Sequence, residues 1–415
     1  MENFKFCIFI NNYGTSNIKL SDLSLSNPGM GGTQYEMFLL TQLLAKSNID
    51  LTVFLTHDQQ FETNIKYRLV DNIEEVFNIC NKESFDYAIL RANDGLKNLN
   101  ILNKTKIIYW VHNFIDYKSA TCIAKNKNVE KVIFVSQEEA DFYYDHDISK
   151  KGKVIFNAIP KFNKKNQIKE KENIVTFIGD LSPYKKFDKL TKIWPKIVSK
   201  VPNAKLLVLG SGDLYGKGKT FGKYGYAEEH FENRFMKPII KHNLQTTVEF
   251  AGLVKGNIPE LISKSKVTVF MNPIETFCIA ATDSIANKVP VVCPKSTGYC
   301  DVVTNNTGYL FTRKNQIVNV VVRILKSNKQ YNMTNEDLRY LGSFSPETYL
   351  SSWLNLFAEL SSSKVYKKRY HKKNYSVNHK WIPIVLDKIR TLFHLPNGFS
   401  RIGIKWYLRK IIRKN

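Results

Sequence analysis

The stretch from Val267 to Pro294 constrains the fold of this chain more than any other part of the sequence. Two apolar, β-branched runs lie within it, Val267 to Phe270 and Val289 to Cys293, and neither alternates polar with apolar residues. Such runs are typical of strands that are covered on both faces in a parallel sheet. The residues between them suffice for one crossover helix, predicted from about Thr276 to Lys288. The stretch therefore predicts a strand, a loop, a helix and a second strand in succession.

Two carboxylates stand in this unit, Glu275 in the loop and Asp283 two turns later. The loop at the carboxyl end of a parallel strand, together with the next helix N-terminus, offers free N–H groups and a positive dipole end to an anionic ligand. A carboxylate at that place would not hold a phosphate, so we expect Glu275 to accept hydrogen bonds from hydroxyl groups. The alternative is an ordinary amphipathic helix with two solvated acids.

The chain of 415 residues is too long for one compact core, which predicts two domains. Apolar strand runs separated by helix-compatible segments recur on both sides of a polar, unpatterned segment, residues 161–172. This rhythm is typical of α/β domains with parallel sheets. The predicted organisation is a first domain over residues 1–160, a linker over 161–172, a second domain over 173–345, a crossover helix over 346–360 and a basic helical tail over 361–415.

A glycine-rich loop, Pro28 to Gly32, stands directly before the first predicted helix, Thr33 to Lys46. Thr33 as N-cap and Glu36 three residues later predict a capping box at the start of this helix. Glycines before a helix let a phosphate approach the backbone, because no Cβ stands in the way. The alternative is a plain flexible loop.

Glu275, seven intervening residues and Asp283, followed by ANKVPVV and Gly298, resemble the E-x7-E block of the GT-B glycosyltransferases of family 4. The resemblance implies two Rossmann-like domains in a GT-B arrangement, with the active cleft between them. It implies that Glu275 contacts hydroxyl groups of a donor sugar and that Asp283 holds the nucleotide ribose. The family usually has Glu at this second position, so Asp283 shortens the reach by one methylene group. The backbone amides that would hold the diphosphate are those of Phe277 and Cys278, and Ile279 is a further donor-binding candidate.

The segment from Asp180 to Leu190 resembles a second block of the family, which usually reads G-R-L-x-P-x-K-G. In the family the Arg and the Lys neutralise the diphosphate, since cations stabilise the charge that develops on a leaving group. Lys185 aligns with the Lys, Asp180 replaces the Arg and Lys186 replaces the Gly. The resemblance implies that Lys185 and Lys186 bind the diphosphate. The alternative is two solvated lysines at the start of a helix.

The string GMGGTQYE resembles the glycine loop of the family that faces the donor phosphates, which implies this role for Gly31 and Gly32. Gly210 belongs to another glycine turn after a predicted strand and is a further donor-binding candidate. His112 follows a predicted strand at whose end a His of the family contacts the donor sugar, and the alternative is a structural histidine. The candidate catalytic residues are Glu275, Lys185 and His112.

The formal net charge is +24, and most of it falls in residues 361–415. This segment has fifteen Lys and Arg residues against the single acid Asp387, a net charge of +14. Two amphipathic runs, Trp381 to His394 and Ile402 to Ile412, mix aromatic and apolar residues with basic ones. They predict helices that bind an anionic membrane surface. Nucleic-acid phosphates would attract the same charges, but no nucleic-acid motif accompanies them, so no nucleic-acid partner is expected.

The cellular location is inferred from cysteines and apolar runs. The six cysteines are scattered without metal-ligand spacing, which favours a reduced cytosolic setting. No apolar run reaches the roughly 18 to 20 residues that span a bilayer. We therefore expect a cytoplasmic protein that lies peripherally on the inner face of the cytoplasmic membrane.

The resemblance implies a retaining, metal-independent glycosyltransferase of the hexosyltransferase type. It would move a sugar from a nucleotide-diphosphate sugar to a hydroxyl of a glycan or lipid-linked acceptor, in bacterial cell-envelope polysaccharide or glycolipid synthesis, with no cofactor besides this substrate. Two alternatives stay open. A sugar-nucleotide epimerase has the same fold and needs no acceptor. A non-catalytic GT-B-like binding protein would account for the departures at Asp180 and Asp283.

Overall fold

The computed structural model describes residues 4–361, with the exception of 16–17, 22, 26, 62–63, 145, 161–170, 213–219, 255–257 and 328–332. The predicted basic tail, apart from Ser361, and most of the predicted linker lie outside the described residues.

The first domain is built on a sheet of seven strands in the order β3-β2-β1-β4-β5-β6-β7, and the described pairings are parallel. The central strands are buried along nearly their whole length, as expected for a parallel sheet with helices on both faces. The strands are β1 (Lys5–Ile10), β2 (Asp50–Leu55), β3 (Tyr67–Leu69), β4 (Tyr87–Arg91), β5 (Lys106–Val111), β6 (Val129–Phe134) and β7 (Gly152–Val154). The helices are α1 (Gly32–Ala45), α2 (Ile73–Glu83), α3 (Tyr117–Lys125) and α4 (Gln137–Phe142).

The second domain is built on a sheet of six strands in the order β10-β9-β8-β11-β12-β13, again with parallel pairings. The strands are β8 (Glu172–Ile178), β9 (Lys205–Leu209), β10 (Val248–Gly252), β11 (Ser265–Val269), β12 (Val291–Pro294) and β13 (Gly308–Phe311). The helices are α5 (Phe187–Val198), α6 (Glu229–Lys241), α7 (Ile258–Ser263), α8 (Ile279–Ala286), α9 (Tyr299–Val302), α10 (Asn315–Lys326), α11 (Asn335–Gly342) and α12 (Pro346–Ser361).

Both sheets have the strand order of the dinucleotide-binding fold, in which the first strand lies beside the fourth. In this order the chain reverses direction across the sheet between β1 and β4 and again between β8 and β11. Ligands bind outside the carboxyl ends of the strands at these switch points. The predicted fold class, α/β with two Rossmann-like domains, is therefore confirmed.

The last described helix, α12, crosses back to the first domain. Its Trp353 ring lies 5.0 Å from that of Trp110 at the end of β5, and Phe357 lies 4.2 Å from Phe6 on β1. Lys153 donates to Glu359 at 2.8 Å. One hydrophobic cluster contains residues of α1, α8 and α12, so the core is continuous from one domain to the other.

Two local predictions were wrong. The predicted capping box does not form, because the N-cap of α1 is Gly31, without a side-chain cap. Glu36 is instead buried, and its Oε2 accepts from the backbone N–H of Ala158 at 3.2 Å. The helix predicted from Thr276 to Lys288 is shorter, since Cys278 has a left-handed backbone (φ 72°) and caps α8.

Candidate active site

A cavity of about 660 Å³ lies where the carboxyl ends of the strands of both sheets meet. Its first-domain wall comes from the loop after β1 and from the ends of β4 and β5, and its second-domain wall from the segments after β8, β9 and β11. Every predicted site residue except Lys186 lines this cavity. Lys186 is the left-handed N-cap of α5 (φ 61°), so its part in binding a diphosphate stays a prediction.

An ion pair joins the turn after β8 to the loop after β11. Lys185 Nζ donates to Glu275 Oε1 at 2.6 Å. The Lys185 side chain is 25% exposed and the Glu275 side chain 12%. Gly179, at the end of β8, has φ 148°, and a Cβ added there would lie 3.5 Å from Lys185 Cγ. The strand end thus passes close beside the lysine side chain and positions it next to the carboxylate.

The loop that carries Glu275 is held from several sides. Asn272 Nδ2 donates to Glu275 Oε1 at 2.9 Å, and the Glu275 N–H donates to Thr297 Oγ1 at 3.1 Å. The Tyr184 hydroxyl donates to the backbone oxygen of Ile274 at 2.7 Å. Among the described contacts, Glu275 Oε2 accepts none. The carboxylate is therefore fixed through one oxygen and presents the other to the cavity.

Close backbone packing at Gly210 requires a glycine. Its φ is 151°, and an added Cβ would lie 1.9 Å from the backbone oxygen of Gly179. No side chain fits in that space. The backbones at the ends of β8 and β9 are therefore in direct contact beside the cavity.

The N-termini of α1 and α8 both face the cavity, through Gly31 and Gly32 on one side and Cys278 and Ile279 on the other. The first N–H groups of a helix have no partner within it, and the helix dipole places partial positive charge there. The cavity thus has two backbone sites suited to an anion. Burial raises the pKa of the Cys278 thiol to about 12, with the Glu275 charge adding to the effect, so the thiol stays protonated.

Asp283 lies on α8, and its Oδ1 is buried without a hydrogen-bond partner among the described residues. Burial raises its pKa to about 7. Glu36 on α1 has a similar environment: burial raises its pKa well above the usual range, and the charge of Asp283 adds to this shift. Two carboxyl groups from different domains therefore lie near each other, and Asp283, which lines the cavity, retains an oxygen for a ligand hydroxyl.

His112 follows β5 and is 6% exposed. Its ring lies 4.4 Å from that of Trp110, and its Nε2 has no partner within the described part of the chain. Its backbone oxygen accepts from Thr276 Oγ1 at 2.8 Å, which joins the two domains beside the cavity. Burial, and next the charge of Arg91, lower the pKa of His112 to about 3. At neutral pH the ring is thus an uncharged hydrogen-bonding group.

Sequence reasoning missed Arg91 and Asn157, which also line the cavity. Arg91 is the last residue of β4, and Asn157 is 3% exposed with an unpartnered Oδ1 among the described contacts. The position of Arg91 directly after the predicted apolar run from Tyr87 to Leu90 is the signal that could have found it, since ligands bind at the carboxyl ends of parallel strands.

Within the residues that the structure describes, His, Cys, Asp and Glu side chains form no group of three or more that could hold a metal ion. None of the helices between residues 4 and 361 that the structure describes is long and apolar enough to span a bilayer.

The paired sheets and the cavity between them define the GT-B class of fold, which the chain shares with solved glycosyltransferases. Residues 158–339 match the family model described as glycosyl transferases group 1. These residues of the chain therefore form a domain of that family. The domain contains the second sheet and the ion pair of Lys185 with Glu275.

A curated relative and several solved structures resemble the chain. The uncharacterized glycosyltransferase MJ1607 of Methanocaldococcus jannaschii is 24% identical over 187 residues, which is 45% of this chain and 42% of the relative. The chain thus matches less than half of that protein's length. Anabaena Alr3699/HepE, solved in complex with UDP-glucose, has a TM-score of 0.64 at 16% identity, covering 86% of this chain and 99% of that one. A glycosyltransferase from Rickettsia africae has a TM-score of 0.65 at 14% identity, covering 88% and 100%. These likenesses show the shared fold.

Proposed function

We propose that the chain transfers a sugar from a nucleotide-diphosphate sugar to a hydroxyl acceptor, with retention of configuration and without a metal. The observation that carries the proposal is the ion pair of Lys185 with Glu275 beside the N-terminus of α8, inside a cavity between two nucleotide-type domains. The family domain over residues 158–339 and the relative solved with UDP-glucose support it.

Each group in the cavity fits one part of such a donor. The N–H groups at the starts of α1 and α8 and the Lys185 ammonium suit the diphosphate, because they place positive charge where the leaving group becomes more negative. Glu275 Oε2 and His112 Nε2 suit hydroxyls of the sugar. Asp283 suits the ribose.

Retention follows from a reaction on one face of the sugar. The bond from the anomeric carbon to the phosphate oxygen breaks, and the acceptor oxygen forms its bond on the same face. The departing phosphate oxygen takes the proton of the acceptor hydroxyl, so no side chain is assigned as base. His112, whose pKa burial lowers to about 3, is uncharged at neutral pH, so it serves as a hydrogen-bonding group and not as an imidazolium acid.

Product analysis tests this function. The full chain is incubated with isotope-labelled nucleotide sugars, with and without candidate glycan and lipid-linked acceptors, and with and without EDTA. We expect release of nucleoside diphosphate, an acceptor-dependent product with the donor's anomeric configuration, no effect of EDTA, and loss of turnover in Glu275→Ala. Isomerised donor formed without acceptor would instead identify an epimerase, and binding without turnover a non-catalytic protein.

We also propose that the acceptor is a cell-envelope glycan or glycolipid at the cytoplasmic face of a membrane, reached through the basic tail. The net charge of +14 in residues 361–415 supports this, since each Lys or Arg near anionic lipid contributes about 1 kcal/mol before screening. Full-length protein should sediment with vesicles of anionic lipid at physiological salt but not with neutral ones. Replacing Lys367, Lys368 and Arg369 by Glu should weaken the binding, and equal binding to neutral vesicles would contradict the electrostatic account.

A further inference from the structure

The cavity has an unusual balance of charge for a diphosphate site. Among the described residues that line it, the cations are Lys185 and Arg91, and the acids are Asp180, Glu275 and Asp283. Lys185 is already paired with Glu275. Asp180 stands where the family block that this segment resembles has an Arg that neutralises the diphosphate. Cations beside a leaving diphosphate stabilise the charge that it develops, and Lys185 is the one cation on the second-domain wall among the described lining residues.

We propose that Arg91 supplies this charge from the first domain and contacts the diphosphate as it departs. The inference rests on the proposed function, since it assigns a further catalytic residue to the same donor site. It places the second cation on the wall opposite Lys185, so that the two domains enclose the diphosphate between them.

The strand order gives Arg91 the required position. β4 lies between β1 and β5 in the first sheet, and Arg91 pairs in register with Trp110 of β5. The loop after β1 ends at Gly31, Gly32 begins α1, and His112 follows β5. Arg91 therefore lies between the glycines that suit the phosphates and the histidine that suits the sugar, where the bond between sugar and diphosphate must break.

A half-buried partner, Asp94, orients the Arg91 side chain. Arg91 Nη2 donates to Asp94 Oδ1 at 2.9 Å, and the Asp94 side chain is 15% exposed. The Tyr109 hydroxyl donates to the backbone oxygen of Asp94 at 2.9 Å, which anchors this turn. A guanidinium has five N–H donors, and the described contacts of Arg91 use one of them. The remaining donors are available to phosphate oxygens, for which a planar guanidinium is well suited.

Nucleotide binding by full-length variants tests the proposal. UDP, GDP, ADP, CDP and dTDP, with their nucleosides, are titrated calorimetrically into the native protein and into Arg91→Gln. For the diphosphate that binds best, we expect Arg91→Gln to weaken binding about 10- to 100-fold, the usual effect of one hydrogen bond to a charged group. Affinity for the nucleoside should not change. Arg68→Gln is the matched control, because Arg68 pairs with Glu83 in the same domain outside the cavity.

A compensating change sharpens the test. In the Arg91→Gln protein, Asp180→Arg places the cation on the other wall and should restore part of the lost affinity. Arg91→Lys keeps the charge without the planar donors and should bind with intermediate affinity, which covers the case in which Arg91→Gln does not fold.

Two results would contradict the inference, and they differ in whether the proposed function is overturned as well. Native-like diphosphate binding by Arg91→Gln overturns the inference, and a rise in acceptor KM alone would then assign Arg91 to an acceptor anion. A native protein that binds none of the diphosphates overturns the proposed function and the inference together.

Discussion

The two domains share a strand order but differ in how they build their walls of the cavity. On the second-domain wall, contacts within the domain hold Glu275. Its side chain accepts from Lys185 and Asn272, and its backbone N–H donates to Thr297. Both walls carry buried polar atoms without partners among the described contacts, His112 Nε2 and Asn157 Oδ1 on the first and Asp283 Oδ1 on the second. The difference lies in Glu275, whose contacts hold it in place before a ligand arrives, whereas His112 and Asn157 leave their polar atoms for the ligand to satisfy.

The largest effect should come from the organised wall. Glu275→Ala should lower donor turnover by about 10²- to 10³-fold, the usual cost of losing a preorganised catalytic hydrogen-bonding group. Glu275→Gln should lower donor turnover nearly as much, because its amide group donates at the position where Oε2 must accept. Turnover of a nucleotide sugar, followed by release of nucleoside diphosphate, measures both.

The matched control for Glu275 is Glu359→Ala, which breaks the ion pair with Lys153 outside the cavity. It should leave turnover at the native rate. Equal losses in both variants would mean that Glu275 acts through stability rather than through the donor.

The next effect tests the close packing of β8 on β9. Gly210→Ala should destabilise the fold by about 3 kcal/mol, since it combines a clash with the Gly179 backbone and a strained positive φ. Gly14→Ala has the same kind of strain (φ 82°) but open space within 4 Å. Urea unfolding should therefore show a much smaller loss for Gly14→Ala. Similar losses of stability in the two variants would mean that the whole destabilisation comes from the backbone conformation and none from the clash.

A pH effect should come from Asp283, the buried carboxyl group on the second-domain wall. Burial raises the pKa of Asp283 to about 7, so the folded state holds its proton over a pH range in which the unfolded state has lost it. The stabilisation that this bound proton provides is complete below the pKa of Asp283 in the unfolded chain, near 4. It is lost as pH rises through about 7.

Between pH 5 and pH 8 the native protein should therefore lose on the order of 2 kcal/mol relative to Asp283→Asn. The free energy of unfolding in urea, measured for both proteins at the two pH values, gives this difference. Parallel changes in both proteins would show that Asp283 titrates normally.

The smallest effect concerns Lys186. It adopts a left-handed backbone (φ 61°), so Lys186→Gly should stabilise the fold by up to about 1 kcal/mol. Ser84→Gly, at the left-handed C-cap of α2, is the control for the same effect away from the cavity. Diphosphate affinity of the same variant tests the predicted role of Lys186. A fall in affinity would show that its ammonium reaches the phosphates, and an unchanged affinity would agree with its place outside the cavity lining.

The contrast between the walls also explains what the sequence could predict. Glu275, Asp283 and Lys185 belong to short segments in which a strand, a turn and a helix follow directly, so local patterns place them. Arg91 and Asn157 were missed, because neither belongs to a glycine turn or to a local motif, and only the folded chain brings them to the cavity. The capping box failed for a related reason: Glu36 satisfies the backbone of Ala158, a contact between distant residues that no local pattern contains.

The most direct test of the central claim is a crystal structure of the protein with whichever nucleoside diphosphate raises its melting temperature most. The account predicts that the phosphates lie in the cavity between Gly32 and Lys185, against the backbone amides at the start of α8, with the ribose at Asp283. A nucleotide bound elsewhere, with Lys185 and Glu275 still paired in an unfilled cavity, would contradict it.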